Sequence, residues 1–385
     1  MFRIAFPFSL FRGKMDLDWK RQVASIVAMI KSFMLIGILG VTTLSLIAAP
    51  AKIAVQVDQS GHAVSPHLWG IFFEDINLSA DGGLYPEFVR NRSFEDSEEP
   101  VNWKLVNASG DASHMATDTS RPLNPFNRRS LCLKLDRAAS LINEGYWGMN
   151  IVEGEGYTLK LAARAAESFK GAITAKLLAA GQTLAEGEIS GITRNWNYYT
   201  IHLTAAGSDP KAKLQFDFSG QGTLFLDMVS LLPKRTWKHH GLRIDLAEAI
   251  HALKPAFLRF PGGCWVEGND MAHMYNWKKT VGSVDVRTPL YNIWQYHATH
   301  GIGYHEYLQL AEDLGAEPLF CINVGMSHQE NIPMDQMGQW VQDALDAIEY
   351  ANGPTNTVWG GQRAKNGHPQ PFNLKYLEIY IPIIR

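Results

Sequence analysis

The spacing of apolar residues shows two textures along the chain. From about residue 234 onward, segments with a helical period alternate with short, continuous apolar runs; in order they are "GLRIDLAEAIHALKP", "AFLRFPGG", "YHEYLQLAEDLGAEP", "PLFCINVGM", "MDQMGQWVQDALDAIEYANGP" and "LKYLEI". Apolar residues three and four positions apart indicate one face of a helix, whereas a short continuous apolar run is typical of a strand covered on both faces. Their alternation predicts strand-helix units and a parallel α/β domain.

Residues 98–233 have the other texture, in which apolar and polar residues alternate with a period of two between turn signals. The segments concerned are "SLCLKLD", "GYTLKLAARA", "GAITAKLLAA", "WNYYTIHLTA", "AKLQFDFSG" and "GTLFLDMVSLLP". This pattern predicts an antiparallel β-sandwich of the jelly-roll kind.

The sandwich is predicted to be an insertion, because α/β texture also precedes it. We predict a short strand at Ile53–Val57, a buried strand in "HLWGIFFEDIN", and a helix in "DGGLYPEFVRNRSFED". Residues 52–97 then hold strand one and helix one of the α/β domain, and residues 234–385 continue it.

The N-terminal segment has the composition of a targeting sequence. Residues 32–52 carry no charge until the final Lys52, basic residues precede them, and Ala48, Ala49 and Ala51 offer a small-residue cleavage site. These features predict a signal peptide within residues 1–51, and an uncleaved membrane anchor is the alternative. Both readings place the protein outside the cytoplasm, as a periplasmic, secreted or membrane-anchored protein. A membrane is expected as a partner only if the segment stays uncleaved.

Composition excludes some classes of partner and leaves others open. The net charge of -3 and the lack of a basic stripe argue against nucleic acid. The 11 tryptophans suit sugar stacking and a large core equally well. Cys132, Cys264 and Cys321 are too few and too widely spaced for a disulfide framework, so we expect free thiols with at most one pair.

The sequence contains no signature of a cofactor or metal site. No G-x-G-x-x-G turn follows the first strand, and neither a P-loop nor H-E-x-x-H occurs. His239 and His240 are adjacent, so they would not share a helix face, and we expect both to be solvated. We therefore predict no cofactor and no metal.

Polar residues collect where the predicted parallel strands end. Glu74, Asp75 and Asn77 follow the first strand, Arg259 lies in the second before a Gly-Gly pair, and Asn323 ends the third. In a (β/α)8 barrel this edge of the sheet forms the active site. Four strands of this type predict half of such a barrel.

The candidate residues keep alternative interpretations. Glu74 could form a structural ion pair with an arginine such as Arg259, or accept hydrogen bonds from a sugar. Gly262 and Gly263 permit a bend that brings backbone close to the site. Cys264 would lie on the rim, where a small buried thiol is commoner than a catalytic one. The remaining candidates, each equally compatible with a structural role, are Trp265, Trp277, Trp294 and Asn323.

Four segments resemble a known family: "SPHLWGIFFEDINLSADGGLYPEFVRNRSFE", "FLRFPGGCWVEGN", "GIGYHEYLQLAEDLGAEPLFCINVGM" and "AKNGHPQPFNLKYLEI". They are similar to the α-L-arabinofuranosidases of glycoside hydrolase family 51, in the long form with a carbohydrate-binding-like sandwich after the first strand-helix unit. The resemblance implies a barrel, and release of terminal arabinofuranosyl groups from plant arabinoxylan or arabinan. It also implies a retaining mechanism with two glutamates about 5 Å apart.

The resemblance assigns substrate-binding roles to matching residues. Glu74 corresponds to the glutamate that holds the sugar hydroxyls, and Arg259, Gly262 and Gly263 match the strand-two motif. Cys264 stands where many relatives have an asparagine that touches the sugar.

The resemblance ends within "LEIYIPII". Pro382 stands at the position of the acid/base glutamate, and the strand-seven region that supplies the nucleophile is not in the chain. We therefore expect a chain truncated after barrel strand four, which is inactive as printed. The alternatives are a non-catalytic carbohydrate-binding remnant and another glycosidase of the same clan, such as an endoglucanase.

Overall fold

The structure is a computed structural model that describes residues 25, 52–59, 61–166 and 169–379. The chain divides into two units, residues 1–63 and 64–385.

The first unit has no strand among its described residues. The predicted strand at Ile53–Val57 is wrong: Ile53, Val55 and Val57 are each at least 74% exposed, and alternation alone does not supply a partner strand. Apart from residue 25, the predicted targeting segment in residues 1–51 lies outside the described residues. No helix in the described part of the chain is both long and apolar enough to span a membrane.

The second unit contains all the strands and complete helices of the described residues. The strands are β1 Ile71–Phe72, β2 Trp103–Val106, β3 His114–Asp118, β4 Ser130–Leu135, β5 Ala139–Asn143, β6 Met149–Ile151, β7 Gly156–Ala165, β8 Ile173–Ala179, β9 Gln182–Ile189, β10 Asn197–Thr204, β11 Asp209–Phe218, β12 Gly222–Pro233, β13 Phe257–Phe260, β14 Leu290–Tyr291, β15 His297–Ala298, β16 Glu317–Ile322 and β17 Tyr376–Ile379. The α-helices are α1 Ile244–Ala252, α2 Cys264–Glu267, α3 Tyr304–Leu314, α4 Gly338–Asn352 and α5 Val358–Lys365. Short 3-10 helices lie at Met271–His273, Trp277–Thr280, Val284–Val286 and Met334–Gln336.

Two antiparallel sheets occupy the middle of this unit. One has the order β10-β7-β12-β4-β3, and the other has the order β2-β5-β11-β8-β9 with β6 also paired to β11. The six segments predicted from alternation are all strands of these sheets. Their inward side chains form one hydrophobic core, in which Trp103 stacks on Phe216.

A parallel sheet with the order β1-β13-β16-β17 brings together strands from before and after the antiparallel sheets. Because successive side chains point to opposite faces of a strand, the two faces of this sheet differ. On one face, Phe260 and Phe320 pack against aromatic side chains of α3, including Tyr304. The other face carries Arg259 and Glu378. The helices α1, α3 and α4 and the strands β13, β16 and β17 confirm the predicted alternation and a mixed α/β architecture.

The predicted helix within residues 81–96 is wrong. Pro86 removes a backbone donor from the middle of the segment, and Asn91 and Phe94 have positive φ angles of 51° and 59°. Glu87 and Arg92 are instead buried together, and Val89 packs into the core of the antiparallel sheets. Tertiary pairing therefore overrides the helical spacing.

The apolar run before Glu74 is also less buried than predicted. Only Ile71–Phe72 forms a strand, and Trp69 and Phe72 are 61% and 48% exposed. Among the described strands β1 is an edge strand, so it has a neighbour on one side only.

Candidate active site

Glu74 lies just beyond the carboxyl end of β1. The N–H of Phe73 continues the parallel ladder by donating to the carbonyl of Arg259 at 2.9 Å. The Glu74 side chain then reaches across to the neighbouring strand's loop, where its Oε1 accepts the Trp265 N–H at 2.8 Å. Its backbone carbonyl accepts the hydroxyl of Ser79. The loop after β13 thus holds the carboxylate at the sheet edge, and Ser79 holds the backbone of Glu74.

Gly262 is required at its position by both conformation and space. Its φ is 131°, which L-residues rarely adopt, and a Cβ there would lie 2.6 Å from Cγ of Glu74. The glycine lets the backbone at position 262 lie close to the Glu74 side chain, as predicted. Any side chain at this position would displace Glu74. Gly263 follows directly and precedes α2.

Arg259 is paired with Glu378, across the intervening strand β16. Its Nε and Nη2 donate to the two carboxylate oxygens at 2.5 and 2.7 Å, in the bidentate geometry that guanidinium and carboxylate groups favour. The Cys321 thiol donates to the same carboxylate at 3.3 Å, and burial raises the pKa of Cys321 to about 12. The buried charge of Arg259, for which Glu74 was one candidate partner, is thus balanced by Glu378.

We expect Glu378→Gln to destabilise this part of the sheet by about 1–3 kcal/mol, the range for hydrogen bonds that involve a charged group. The hydrogen bonds from Arg259 lower the pKa of Glu378. A carboxylate with a lowered pKa stabilises the fold above the ordinary pKa of an unfolded glutamate, ~4.3. That contribution is lost as pH falls through the lower pKa of the folded state. Thermal unfolding of both proteins from pH ~7 to ~3 tests this.

The control is Glu188→Gln, since Glu188 is exposed on β9. We expect the gap in melting temperature between wild type and Glu378→Gln to be constant near neutral pH and to close in acid. The Glu188→Gln protein should follow the wild type throughout. A gap that stays constant down to the lowest pH would contradict the ion-pair assignment.

The aromatic candidates are mainly core residues. Trp265 and Trp277 are 3% and 4% exposed, and the Trp277 indole donates to the carbonyl of Asp343. Trp294 is partly buried and stacks on Trp265, with ring centroids 6.2 Å apart. Asn323 caps its own turn by accepting the N–H groups of Gly325 and Met326. These contacts favour the structural interpretation of the four residues.

Two further carboxyl groups near this edge have raised pKa values. Burial, and secondly the charge of Asp81, raises the pKa of Asp75 to about 7. Burial also raises the pKa of Glu267, an effect that His328 opposes and the charge of Glu74 increases. Sequence reasoning missed Glu267 and His328. The spacing of Cys264 and Glu267 by three residues was a usable signal, but His328 is 61 positions beyond Glu267 and no spacing links it to them.

Comparison with known proteins identifies a family signal in the C-terminal third. The family model of the "Alpha-L-arabinofuranosidase 1 domain" matches residues 249–380. This segment includes Arg259, Gly262, Gly263 and Cys264, together with β16 and β17.

Relatives extend the similarity over most of the chain. The chain is 37% identical to alpha-L-arabinofuranosidase 2 of Arabidopsis thaliana over 86% of this chain and 52% of that protein. It is 37% identical to an extracellular exo-alpha-L-arabinofuranosidase of Streptomyces chartreusis over 85% of this chain and 42% of that protein. An arabinose-bound GH51 α-L-arabinofuranosidase structure superposes with a TM-score of 0.78 and 32% identity, covering 84% of this chain and 55% of the other. The chain thus spans about half the length of these relatives.

Proposed function

Because the chain is a homologue of the family 51 α-L-arabinofuranosidases over most of its length, we propose that these 385 residues form the sugar-binding part of an exported α-L-arabinofuranosidase specific for arabinoxylan or arabinan. Its carboxyl sheet edge binds the terminal arabinofuranosyl group. The observation that carries this assignment is the position of Glu74, an incompletely buried carboxylate at that edge that accepts the Trp265 N–H from the loop after β13. Export is supported by the composition of residues 1–51 and by the extracellular relative.

The same proposal covers the architecture. Four parallel strands with helices after β13 and β16 are the arrangement of one half of a (β/α)8 barrel. The antiparallel sheets lie between β1 and β13 in the chain and share one core, which supports an inserted β-sandwich spanning about residues 98–233. Residues 52–97 and 234–385 then contribute the barrel strands on either side.

Each site residue has a distinct part in sugar binding. A carboxylate accepts about four hydrogen bonds, and Trp265 uses only part of that capacity, so Glu74 can also accept sugar hydroxyls. Gly262 leaves the space in which Glu74 lies, and Gly263 continues the bend. Arg259 holds Glu378 in the sheet, and Cys264 follows Gly263 directly as the first residue of α2.

Glu74→Gln tests the sugar site. We expect it to weaken binding of an arabinofuranosyl oligosaccharide by about 10- to 100-fold, which corresponds to the loss of a hydrogen bond to a charged acceptor. Isothermal titration calorimetry measures the affinity. Glu248→Gln is the control, because Glu248 is exposed on α1 and should bind as wild type does. Equal affinities for wild type and Glu74→Gln, or no saturable binding by wild type, would refute the assignment.

A further inference from the structure

A cluster of three metal-ligand side chains lies beside the sheet edge. The sulfur of Cys264, a carboxylate oxygen of Glu267 and an imidazole nitrogen of His328 all lie within 4.8 Å of one another. Cys264 and Glu267 are the first and last residues of α2, and a spacing of three places them on the same side of a helical turn. His328 comes from the loop after β16.

The two loops that carry these residues are fastened to each other. The His328 N–H donates to the carbonyl of Gly268 at 3.1 Å. The side chain of Asn323 donates to the carbonyl of Val266 at 2.9 Å. These two hydrogen bonds hold the backbone of His328 next to α2. The loop conformations therefore bring the three side chains together.

One carboxylate oxygen of Glu267 is buried without a hydrogen-bond partner among the described residues. The residue is 4% exposed, and its Oε2 contacts the His328 imidazole at 2.6 Å. Its Oε1 is buried and accepts no hydrogen bond from any group in the described part of the chain. A buried carboxylate oxygen without a hydrogen-bond partner is unfavourable, and a bound cation would satisfy it.

The ligand types select the cation. A thiolate and an imidazole are soft or borderline ligands that suit zinc, whereas calcium and magnesium favour oxygen ligands alone. Tetrahedral zinc with bonds of ~2.0–2.3 Å sets neighbouring ligand atoms roughly 3.3–3.8 Å apart. The His328–Glu267 contact would open by less than ~1 Å, and the partly exposed His328 side chain has room to move.

We propose that Cys264, Glu267 and His328 bind a zinc-type divalent cation, with one coordination position left open to water or a small ligand. The site shares Cys264 with the sugar-binding proposal but does not depend on it, because its evidence is the grouping of the three ligands and the unsatisfied Glu267 oxygen. The expectation of no metal drawn from the sequence is replaced by this proposal, since the third ligand comes from a distant loop.

Zinc binding by the tag-free, demetallated 385-residue chain tests the site. Titration with Zn²⁺ against a chromophoric chelator should show one saturable equivalent. Cys264→Ser and His328→Ala should each weaken it by at least about 10- to 100-fold, the loss caused even by outer-shell changes at metal sites. Cys132→Ser is the matched control, because Cys132 is also partly buried but lies on β4, and it should bind as wild type does.

Two results overturn the proposal: no saturable equivalent in wild type, or unchanged affinity in both ligand variants. If circular dichroism shows that the variants do not fold, the site is tested instead by alkylating the cysteines of the wild-type chain with and without Zn²⁺. Zn²⁺ should then slow modification of Cys264 relative to Cys132 by at least about 10-fold, read by mass spectrometry of the peptides. An unchanged ratio of the two rates means that the three residues form only a local polar cluster.

Discussion

Glu87→Ala is expected to lower the free energy of unfolding of the antiparallel sheets by about 3–5 kcal/mol, the range for removing one partner of a buried ion pair. Glu87 and Arg92 are 1% and 2% exposed, and their charged atoms are 3.2 Å apart. The substitution leaves the guanidinium buried beside the hydroxyl of Tyr85 and without its carboxylate. A charge desolvated in this way has no access to water that would offset the loss.

Glu87 also serves backbone groups that alanine cannot. One carboxylate oxygen accepts the N–H groups of Val89 and Leu231, and the other accepts the Ser230 hydroxyl. Leu231 and Ser230 belong to β12, so the residue joins the segment before β2 to the central strand of a sheet. Several buried donors would lose their acceptor together, which adds to the cost of the unpaired charge.

Hydrogen exchange of peptides from β7 and β12, followed as a function of denaturant, measures this local stability. Glu144→Ala is the control, because the Glu144–Lys213 pair is exposed and should contribute no more than about 1 kcal/mol. Adding Arg92→Met to Glu87→Ala should recover part of the loss, since it removes the unpaired charge. A loss as small as that of Glu144→Ala would contradict the assignment.

The sequence predicts those elements whose periodicity agrees with their environment. Helix α3 shows the expected period and is followed by Gly315, whose φ of 69° and ψ of 25° are those of a left-handed C-terminal cap. The segment at residues 81–96 has a similar period, yet its structure is decided by Glu87 and Arg92. Periodicity describes one chain segment at a time and contains no information about a partner on β12.

The same limit applies to the candidate site: the sequence marks residues that have a local signal, but not their partners in distant segments. Glu74 and Gly262 are marked locally, by a carboxylate after an apolar run and by a glycine pair after a strand. The partner of Arg259 is 119 positions away in the sequence, and only the strand order brings Glu378 across β16. His328 likewise joins Cys264 and Glu267 because two loops meet, which no spacing within either loop reveals.

A polypeptide of these 385 residues is expected to release no arabinose from an aryl α-L-arabinofuranoside above the rate of a blank. By resemblance, a retaining glycosidase needs an acid/base and a nucleophile about 5 Å apart. The same resemblance assigns the acid/base position to Pro382, which cannot transfer a proton and which lies outside the described residues. The expectation concerns this polypeptide alone, and binding of the sugar at Glu74 is expected to persist in it.

Glu378 and Asp75, two of the described carboxyl groups at the sheet edge, are unsuited to act as the acid. Arg259 lowers the pKa of Glu378, so Glu378 is ionised at neutral pH and both of its oxygens are bound. Asp75 has a pKa of about 7, which suits a general acid, but it is 3% exposed and one of its oxygens accepts the N–H of Ala80. A buried carboxyl of this kind cannot reach a glycosidic oxygen.

Glu267 is the remaining described carboxyl near this edge with a raised pKa, although it is 4% exposed and contacts His328, and the assay tests it directly. Burial raises its pKa, His328 opposes that effect, and the charge of Glu74 adds to it. The assay therefore compares the 385-residue polypeptide with Glu267→Gln, Glu74→Gln and the exposed control Glu248→Gln, with the Arabidopsis thaliana relative as the active standard. Turnover that survives in Glu248→Gln and disappears in Glu267→Gln would overturn the prediction and show that Glu267 is needed for it. Blank rates in all four proteins, while wild type still binds the sugar, would separate recognition at Glu74 from bond cleavage.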